Sequence, residues 1–447
     1  AHQAVYTEKL LEAGDNGWAI CGVGLRDSDR RMQQILEEQD YLYTVMELDH
    51  QQETAVGVIG AISNFLFAPD NPEAVIEKLA HPEVRIVSLT ITEGGYNVDD
   101  NTGQFDLQNP DIIYDLQNPK SPRTVFGYLA EALARRMDRG LKPFTVMSCD
   151  NLPHNGHVAR KALLSFATQK DAGLSAWIKE NVSFPNGMVD RITPMTTPQH
   201  IQLLSDNFGI EDSWPVICEP FMQSVLEDNF CNGRPEWEKV GVQFTRDVTP
   251  YENMKIRLLN ASHTAMAYTG YLADYRYTND VMNDTEFTCF IRNFMDLDVT
   301  PLLGDIPNVD IEDYKQTLIR RFSNQQMADQ LSRLCMDGSS KVPKFLIPTI
   351  HLLLEQDRPL ERVAFIIASW ALYLRRQDIR EIQDPMADRL KNSVADRQQL
   401  TVSFLNLQDL FGQELMNSDR FVQAFENALD QIESNGVIEA LKTLNAL

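Results

Sequence analysis

The sequence predicts two domains, an N-terminal α/β domain with a doubly wound, mostly parallel sheet and a C-terminal all-α domain. Two observations lead to this fold class. Over residues 1–244, β-rich runs alternate with helical patterns, as in sheets that carry helices on both faces. Over residues 245–447, the patterns are helical with almost no strand signal. A chain of 447 residues also exceeds what one ordinary hydrophobic core supports.

In the N-terminal domain, a helical pattern at residues 6–13 precedes an apolar run at residues 18–25, which we expect to be a buried strand. The other predicted strands are residues 41–48, 55–62, 85–91, 144–149 and 215–218. Helices are predicted between them at residues 30–38, 72–79, 123–139 and 157–180, the last in two pieces. This alternation is typical of parallel sheets.

In the C-terminal domain, a helical pattern begins at Glu252 and meets no proline before Pro301. Further helices are predicted at residues 286–294, 311–322, 327–336, 347–354, 360–374, 401–410, 420–432 and 436–444. The longest apolar run, residues 363–374, is too short to cross a bilayer and is typical of a buried core helix. We therefore expect no membrane partner.

The composition excludes several classes of function. A formal charge of −24 argues against nucleic acids and anionic membranes as partners, since both are negatively charged. The six cysteines are widely separated, which indicates reduced, buried thiols, and with no secretion leader we expect a cytoplasmic protein. No metal site is predicted, because His154 and His157 lack a second His/Cys pair with ligand spacing.

The run Gly22-Val-Gly24 lacks the third glycine and the immediate helix of a dinucleotide-binding fingerprint. Its place after a helix instead fits the second strand of a Rossmann-like βαβ unit. In such a unit an acidic residue just past this strand accepts hydrogen bonds from ribose hydroxyls, and Asp29, or Asp27 beside it, is the candidate. Asp29 is also well placed to cap the next helix, and the pattern alone favours the cap. On the ribose interpretation, the first strand and its glycine turn are missing from the sequence.

Polar clusters directly follow two apolar runs, and a third polar cluster lies in an apolar frame. Residues 90–96 end a predicted strand with paired glycines, which let a backbone approach a ligand closely, although a plain tight turn explains them equally well. Residues 148–156, which include Asn151, lie at the carboxyl edge of the predicted sheet, where open α/β sheets bind ligands. Capping of the following helix explains some of these side chains. A third cluster, residues 184–194, includes Asp190.

The first helix of the C-terminal domain carries Lys255-x4-Asn260-x2-His263. On an α-helix, this spacing presents an amine, an amide and an imidazole on neighbouring faces, available to one small polar ligand. On spacing alone, a solvated lysine, a surface asparagine and a core histidine are the better explanation. If a ligand binds, we expect it between the carboxyl edge of the sheet and the helical domain.

Five stretches make the chain resemble the polyol-specific long-chain dehydrogenase/reductase family from its first residue to its last helix. They are Ser-Leu-Thr-Ile-Thr-Glu-Gly-Gly-Tyr at 88–96, Ser-Cys-Asp-Asn-Leu-Pro-His-Asn-Gly at 148–156, Met-Val-Asp-Arg-Ile-Thr-Pro at 188–194, the Lys-x4-Asn-x2-His spacing and Asp-Gly-Ser-Ser-Lys-Val-Pro-Lys at 337–344. The resemblance implies a monomeric, metal-independent, NAD-dependent oxidoreductase that interconverts mannitol and fructose by hydride transfer at C2.

The resemblance also implies roles for individual residues. Lys255 is the general acid/base, and Asn151 and Asn260 donate hydrogen bonds to the reacting oxygen. The other implied site residues are His263 and Glu252 for catalysis, Asp190, Arg333 and Lys341 for the polyol, and Asp29, Ser28, Glu93 and Gly94 for the cofactor. Where Ser28 stands, the family often has an acidic side chain, which weakens the expectation of NAD over NADP.

Three alternatives stay open. A sister hexuronate reductase would act on fructuronate or tagaturonate, and a further relative would be an arabinitol dehydrogenase. The third alternative is a truncated, non-catalytic remnant, since family members open with a strand and a glycine-rich turn of which only Ala1-His2 remains in this sequence.

Overall fold

The computed structural model describes residues 2–49, 53–98 and 103–446. Its internal contacts divide the chain into two compact units, Ala1–Thr249 and Pro250–Leu447. Strands and helices alternate in the first unit, whereas the second unit is mostly helical. The predicted fold class, an α/β domain followed by an all-α domain, is confirmed.

The strands of the first unit pair mainly in parallel. They are β1 (Ile20–Gly24), β2 (Tyr43–Glu47), β3 (Ala55–Ile59), β4 (Ile62–Phe67), β5 (Ile86–Leu89), β6 (Thr145–Ser148), β7 (Gly187–Asp190), β8 (Val216–Cys218), β9 (Gln223–Glu227) and β10 (Gln243–Thr245). Parallel pairs join β1 to β4, β2 to β8, β5 to β6 and β9 to β10. Antiparallel pairs join β2 to β3 and β7 to β9. The prediction of a mostly parallel sheet is confirmed.

The helices of the first unit are α1 (His2–Glu12), α2 (Arg30–Glu38), α3 (Pro72–Ala80), α4 (Pro110–Gln117), α5 (Val125–Asp138), α6 (Asn155–Lys170), α7 (Ala172–Asn181) and α8 (Pro198–Phe208). Five of them, α3, α4, α5, α7 and α8, begin at a residue whose side chain accepts a hydrogen bond from the first turn. Helix α3 is typical, since the Asn71 side chain accepts a hydrogen bond from Ala74 N and Pro72 starts the helix. Phe126 and Leu133 of α5 and Phe166 of α6 are buried in one core with Val146 of β6.

Two predictions for this unit are wrong in detail, and some elements were not predicted. Residues 18–25 do not form a buried strand, because β1 is shorter and half-exposed, with Val23 37% exposed. Residues 55–62 are not one strand, because the chain breaks between β3 and β4 and the two strands pair with different partners. Strands β7 and β9 and helices α4 and α8 were not predicted. The strands have only four and five residues, too few for a clear alternation.

The second unit is built from helices, one of which is buried over most of its length. Its helices are α9 (Thr249–Met254), α10 (Ala261–Leu272), α11 (Thr278–Asn283), α12 (Thr285–Asn293), α13 (Ile311–Phe322), α14 (Leu331–Cys335), α15 (Gly338–Phe345), α16 (Ile347–Glu355), α17 (Glu361–Arg376), α18 (Ala387–Ser393), α19 (Leu400–Leu405), α20 (Gln408–Phe411), α21 (Glu414–Asn417), α22 (Asp419–Asn435) and α23 (Val437–Asn445). Helix α17 is buried from Arg362 to Leu374, as expected for a core helix. The predicted helix at 401–410 is broken into α19 and α20, and the one at 327–336 shortens to α14.

Two further observations concern the whole described part of the chain. All six cysteines lie within it as free thiols; Cys218 and Cys335 are buried, whereas Cys289 is exposed, contrary to the prediction of buried thiols. Among the helices of residues 2–49, 53–98 and 103–446, none has the length and apolar character to span a membrane.

Two π-helices interrupt the helices of the second unit. Residues Lys255–Asn260 form the first, between α9 and α10, and Phe294–Val299 form the second, directly after α12. A π-helix bonds each N–H to the carbonyl five residues back, so residues five apart lie one above the other. Such segments are rare and are frequently found at functional sites.

The second π-helix carries a buried ion pair. Asp298 is 1% exposed and its Oδ2 accepts a hydrogen bond from Nε of Arg362 at 2.5 Å. Burial raises the pKa of Asp298 to about 6, against the lowering effect of the Arg362 guanidinium. Removing a charge from water costs free energy that one partner offsets only in part.

We expect Asp298→Asn to change the pH dependence of stability. Because the folded-state pKa of about 6 exceeds the ordinary value of 3.8, the stability from Asp298 is full below pH 3.8 and is lost as pH rises through 6. The loss is about 3 kcal/mol across this window. Neutral asparagine has no such slope, so Tm measured from pH 4 to pH 7 should show the wild-type advantage shrinking as pH rises. Asp409→Asn, at an exposed pair with Arg389, is the control; an advantage independent of pH would contradict the assignment.

Candidate active site

Polar groups gather where β5 and β6 end. The two strands are parallel, with Leu89 opposite Ser148, so the segments that follow them start at the same edge of the sheet. The Asp150 carboxylate joins these segments, because it accepts hydrogen bonds from Ile91 N at 3.1 Å and Thr92 N at 2.9 Å. The two predicted polar clusters, at residues 90–96 and 148–156, therefore lie side by side.

Three predicted site residues are exposed at this edge. Glu93 and Gly94 lie in a 3₁₀ turn, Glu93–Tyr96, and Asn151 follows Asp150 directly. A methyl group at Gly94 would meet no atom within 4 Å, whereas one at Gly95 would lie 2.8 Å from Cβ of Ile91. Close packing against Ile91 thus explains why a side chain does not fit at Gly95. At Gly94 no such contact exists, so its backbone is open to a ligand.

Asp29 lies just after β1, in the 3₁₀ turn Asp27–Asp29 that leads into α2. Its Oδ2 accepts a hydrogen bond from Arg26 N at 2.9 Å, and it makes no side-chain capping bond to α2. The capping interpretation is therefore wrong, although Asp29 occupies the N-cap position. Ser28 beside it is exposed. An Asp carboxylate near a strand end retains acceptor capacity for hydroxyl groups.

Asp190 is buried at the end of β7, and hydrogen bonds fix the strand that carries it. Nδ2 of the buried Asn155 donates to Gly187 O at 2.8 Å and to Ser148 O at 3.3 Å. Oδ1 of Asn155 accepts from Gly187 N at 2.9 Å. One amide thereby ties the start of β7 to the end of β6, which fixes Asp190 relative to the edge that carries Asn151.

In the helical unit, the first π-helix contains Lys255 and Asn260. The prediction that this segment is a regular α-helix is wrong, since Ala261 N–H donates to Ile256 O, five residues back. On a regular helix the two side chains would diverge, but on a π-helix residues five apart share a face. Lys255 is 8% exposed and Asn260 7% exposed, so neither is the solvated residue of the alternative explanation. Glu252, one turn earlier in α9, is also buried.

The buried Asn260 side chain has an unusual feature. Within the described residues, no hydrogen-bond partner faces its Oδ1 atom. Buried polar atoms nearly always have a partner, and an unpaired amide oxygen costs about 1–3 kcal/mol. A ligand that donates a hydrogen bond would satisfy it.

The other predicted residues of the helical unit fall into two places. The ring of His263, on α10, lies 4.7 Å from the ring of the buried Phe322. Arg333 is exposed and forms a bidentate pair with Asp329, at 2.8 and 2.5 Å. Nζ of Lys341 donates to the carbonyl oxygens of Arg333 at 3.4 Å and of Leu334 at 3.2 Å. The structure thus brings Arg333 and Lys341 together.

The electrostatics at Lys341 favour a less basic amine. Burial lowers the pKa of Lys341, Arg333 lowers it further, and Asp337 raises it.

No group of three or more His, Cys, Asp or Glu side chains within residues 2–49, 53–98 and 103–446 is arranged to hold a metal ion. The rings of His154 and His157 stack, with centroids 5.8 Å apart.

Both units match known domains. Residues 1–239 match the mannitol dehydrogenase Rossmann domain, and residues 247–433 match the mannitol dehydrogenase C-terminal domain. The chain belongs to the mannitol dehydrogenase family. The resemblance predicted from the motifs is confirmed, and with it the prediction of a dehydrogenase.

Relatives within the mannitol dehydrogenase family align over nearly the whole chain. The mannitol 2-dehydrogenase of Aspergillus oryzae is 46% identical over 99% of this chain and 90% of its own length. That of Phaeosphaeria nodorum is 46% identical over 98% of this chain and 78% of its own length.

Solved structures agree with the family assignment. Pseudomonas fluorescens mannitol 2-dehydrogenase, in a ternary complex with NAD and D-mannitol, is 54% identical with a TM-score of 0.88, covering 99% of this chain and 91% of that one. A substrate-free D-sorbitol dehydrogenase is 42% identical with a TM-score of 0.89, covering 98% and 92%.

Asp150 and Asn155 hold this edge of the mannitol dehydrogenase fold together, but neither was predicted to do so. Both come within seven residues of the end of β6. The available signal was a run of polar residues straight after a buried strand, where a side chain can reach the backbone of the neighbouring strand.

Proposed function

We propose that the chain is an NAD-dependent mannitol 2-dehydrogenase, which oxidises D-mannitol at C2 to D-fructose and catalyses the reverse reduction. The observation that carries this proposal is the 54% identity, over 99% of this chain, to an enzyme whose structure contains both NAD and D-mannitol. A monomeric state and a cytoplasmic location stay predictions from the sequence.

The residues of the first unit fit the cofactor. The Asp29 carboxylate, with Ser28 beside it, would accept hydrogen bonds from the adenosine ribose, and the open backbone at Gly94 with Glu93 would face the cofactor at the end of β5. When bound, NAD supplies the acceptor for the hydride that leaves the carbinol carbon. The protein supplies the orientation and the proton transfer.

Lys255 is proposed as the general base for oxidation and the general acid for reduction. As the carbinol carbon loses hydride, its hydroxyl proton must leave, and a base within hydrogen-bond reach accelerates that step. A lysine serves this purpose when burial or a nearby cation lowers its pKa. The burial of Lys255 supports this role. Glu252, one helical turn earlier, is proposed to pass the proton onward.

Asn151 and Asn260 are proposed to stabilise the negative charge that develops on the reacting oxygen. Amide N–H groups fixed before the reaction stabilise such charge without reorganisation, and losing one donor typically costs roughly 3–4 kcal/mol. We infer that two amides and an ammonium group make the reaction metal-independent. The unpaired Oδ1 of Asn260 supports a hydroxyl-bearing substrate, since it needs a donor.

The remaining hydroxyls of the polyol are proposed to bind His263, Arg333, Lys341 and Asp190. A polyol is neutral and well hydrated, so matched hydrogen bonds must select it. A site of this kind rejects analogues that lack one hydroxyl by as much as ~10⁴–10⁵.

A second candidate substrate is D-sorbitol, which differs from D-mannitol in configuration at C2. The 42% identity and TM-score of 0.89 to a D-sorbitol dehydrogenase favour it. Initial rates of NAD reduction with mannitol, sorbitol and arabinitol, and of NADH oxidation with fructose and fructuronate, decide between them. We expect mannitol and fructose to give the highest kcat/KM. A higher value with sorbitol or fructuronate would replace the proposed substrate, and no turnover with any of them would support the non-catalytic remnant.

Lys255→Met should abolish turnover while leaving cofactor binding intact. Removing a general acid/base typically costs about 10²–10⁴ in rate, and the apolar side chain keeps the packing volume. The measurements are kcat with mannitol and NADH affinity by fluorescence. Lys442→Met, on an exposed lysine that pairs with Glu439, is the control and should keep both. Retention of a tenth of wild-type activity by Lys255→Met would assign the base to another residue.

Asp29→Ala should shift cofactor preference toward NADP. Without the carboxylate, the ribose loses an acceptor and a 2′-phosphate no longer meets a negative charge. We expect the ratio of kcat/KM for NAD to that for NADP to fall by about tenfold or more, the equivalent of one hydrogen bond to a charged group. Asp27→Ala is the matched control in the same turn. An equal shift in both variants would mean that the turn's overall charge, rather than Asp29, sets the preference.

A further inference from the structure

We propose that Asp150 is a positioning residue that holds the cofactor-facing turn at Glu93–Tyr96 in register with the oxyanion amide of Asn151. This inference rests on the proposed function. Asp150 touches neither substrate nor cofactor in it and acts through the backbone of its neighbours.

The geometry is a three-donor cradle around one carboxylate. Oδ2 of Asp150 accepts from Ile91 N at 3.1 Å and from the Tyr96 hydroxyl at 2.7 Å. Oδ1 accepts from Thr92 N at 2.9 Å. The Tyr96 hydroxyl also lies 2.5 Å from Ser148 Oγ. The carboxylate therefore holds both ends of the turn that contains Glu93 and Gly94, from the residue immediately before Asn151.

The turn needs this anchor because its backbone is strained. Thr92 has φ 59° and ψ 172°, a conformation that non-glycine residues adopt at a cost and mainly at functional sites. Two successive N–H groups that face one anion form a stabilising concavity. Bonds to a charged acceptor are about twice as strong as neutral ones. The Asp150 carboxylate is what offsets the strain at Thr92.

A second carboxylate in the same unit has matching contacts, but none of its hydrogen bonds reaches the turn Glu93–Tyr96. The buried Asp115 accepts from Arg123 N at 2.7 Å, Thr124 N at 2.9 Å and Thr124 Oγ1 at 2.7 Å. It anchors the start of α5. Asp115→Asn therefore measures what the loss of such an anchor does while the bonds of Asp150 to Ile91, Thr92 and Tyr96 stay intact.

The experiment compares Asp150→Asn with Asp115→Asn by Tm, kcat with mannitol and Kd for NADH. Asparagine keeps the shape but turns an amide N–H toward donors. We expect both variants to lower Tm. Only Asp150→Asn should raise Kd for NADH, by about tenfold, as one lost charge-assisted bond implies, and lower kcat by about 10²-fold, as a misplaced donor implies.

A rescue variant separates positioning from general damage. Thr92→Gly in the Asp150→Asn background should recover at least about threefold in NADH affinity, because glycine adopts positive φ without strain. If Asp150→Asn does not fold, Tyr96→Phe, which removes one donor and keeps both backbone contacts, should raise Kd for NADH by about threefold, and an unchanged Kd overturns the inference.

In the comparison with the wild-type chain, two further results would overturn the inference, and they are distinguishable. If the wild-type chain turns over mannitol and Asp150→Asn matches Asp115→Asn in kcat and Kd, the positioning role alone is wrong. If the wild-type chain neither binds NADH nor turns over mannitol, the proposed function is wrong and the inference with it.

Discussion

The placement of Lys255 and Asn260, two of the proposed catalytic groups, depends on one local constraint, the π-helix Lys255–Asn260. In an uninterrupted α-helix, two residues five apart point about 140° away from each other. Here the i→i+5 bonding puts the amine and the amide on the same face. Helices α9 and α10 continue on either side, so the rest of the segment keeps an ordinary buried face. A π-helix is rare and is frequently found at functional sites, which supports the proposed roles of these two residues.

In the α/β unit, the proposed site residues are positioned differently, because they lie on segments that follow strands. Such segments are mobile unless their backbone groups are satisfied. Buried or half-buried polar side chains satisfy them here, since Asn155 joins β6 to β7 and Asp150 joins the segments after β5 and β6. The parallel pairing of β5 with β6 brings these segments to one edge. A few amide and carboxylate contacts therefore hold these segments at the edge where β5 and β6 end.

Local patterns were enough to predict the fold class and most helices. Helix α13 has the predicted bounds, and α2 does also, because amphipathic spacing and clear ends mark both. The patterns did not reveal the π-helix, because residue types alone do not distinguish a π-helix from an α-helix. Only the hydrogen-bond register distinguishes the two. Strands β7 and β9 were not predicted for a related reason. They pair with each other although they are distant in the chain, and local patterns do not show such pairing. The residue types proposed for the site follow from the motifs, but their supporting contacts require coordinates.

The unpaired amide oxygen of Asn260 bears on which substrate oxygens the two atoms of this amide would contact in the proposed reaction. A carbinol oxygen both donates and accepts hydrogen bonds, whereas the oxygen of a ketone or a forming oxyanion only accepts. An amide N–H aimed at the reacting oxygen therefore gains strength as the proton leaves, which is the differential binding that lowers a barrier. The Oδ1 atom cannot serve that oxygen once the proton has gone, so in the proposed mechanism its partner is a neighbouring hydroxyl that the reaction leaves intact. A polyol supplies both groups on adjacent carbons, and a simple alcohol supplies only one.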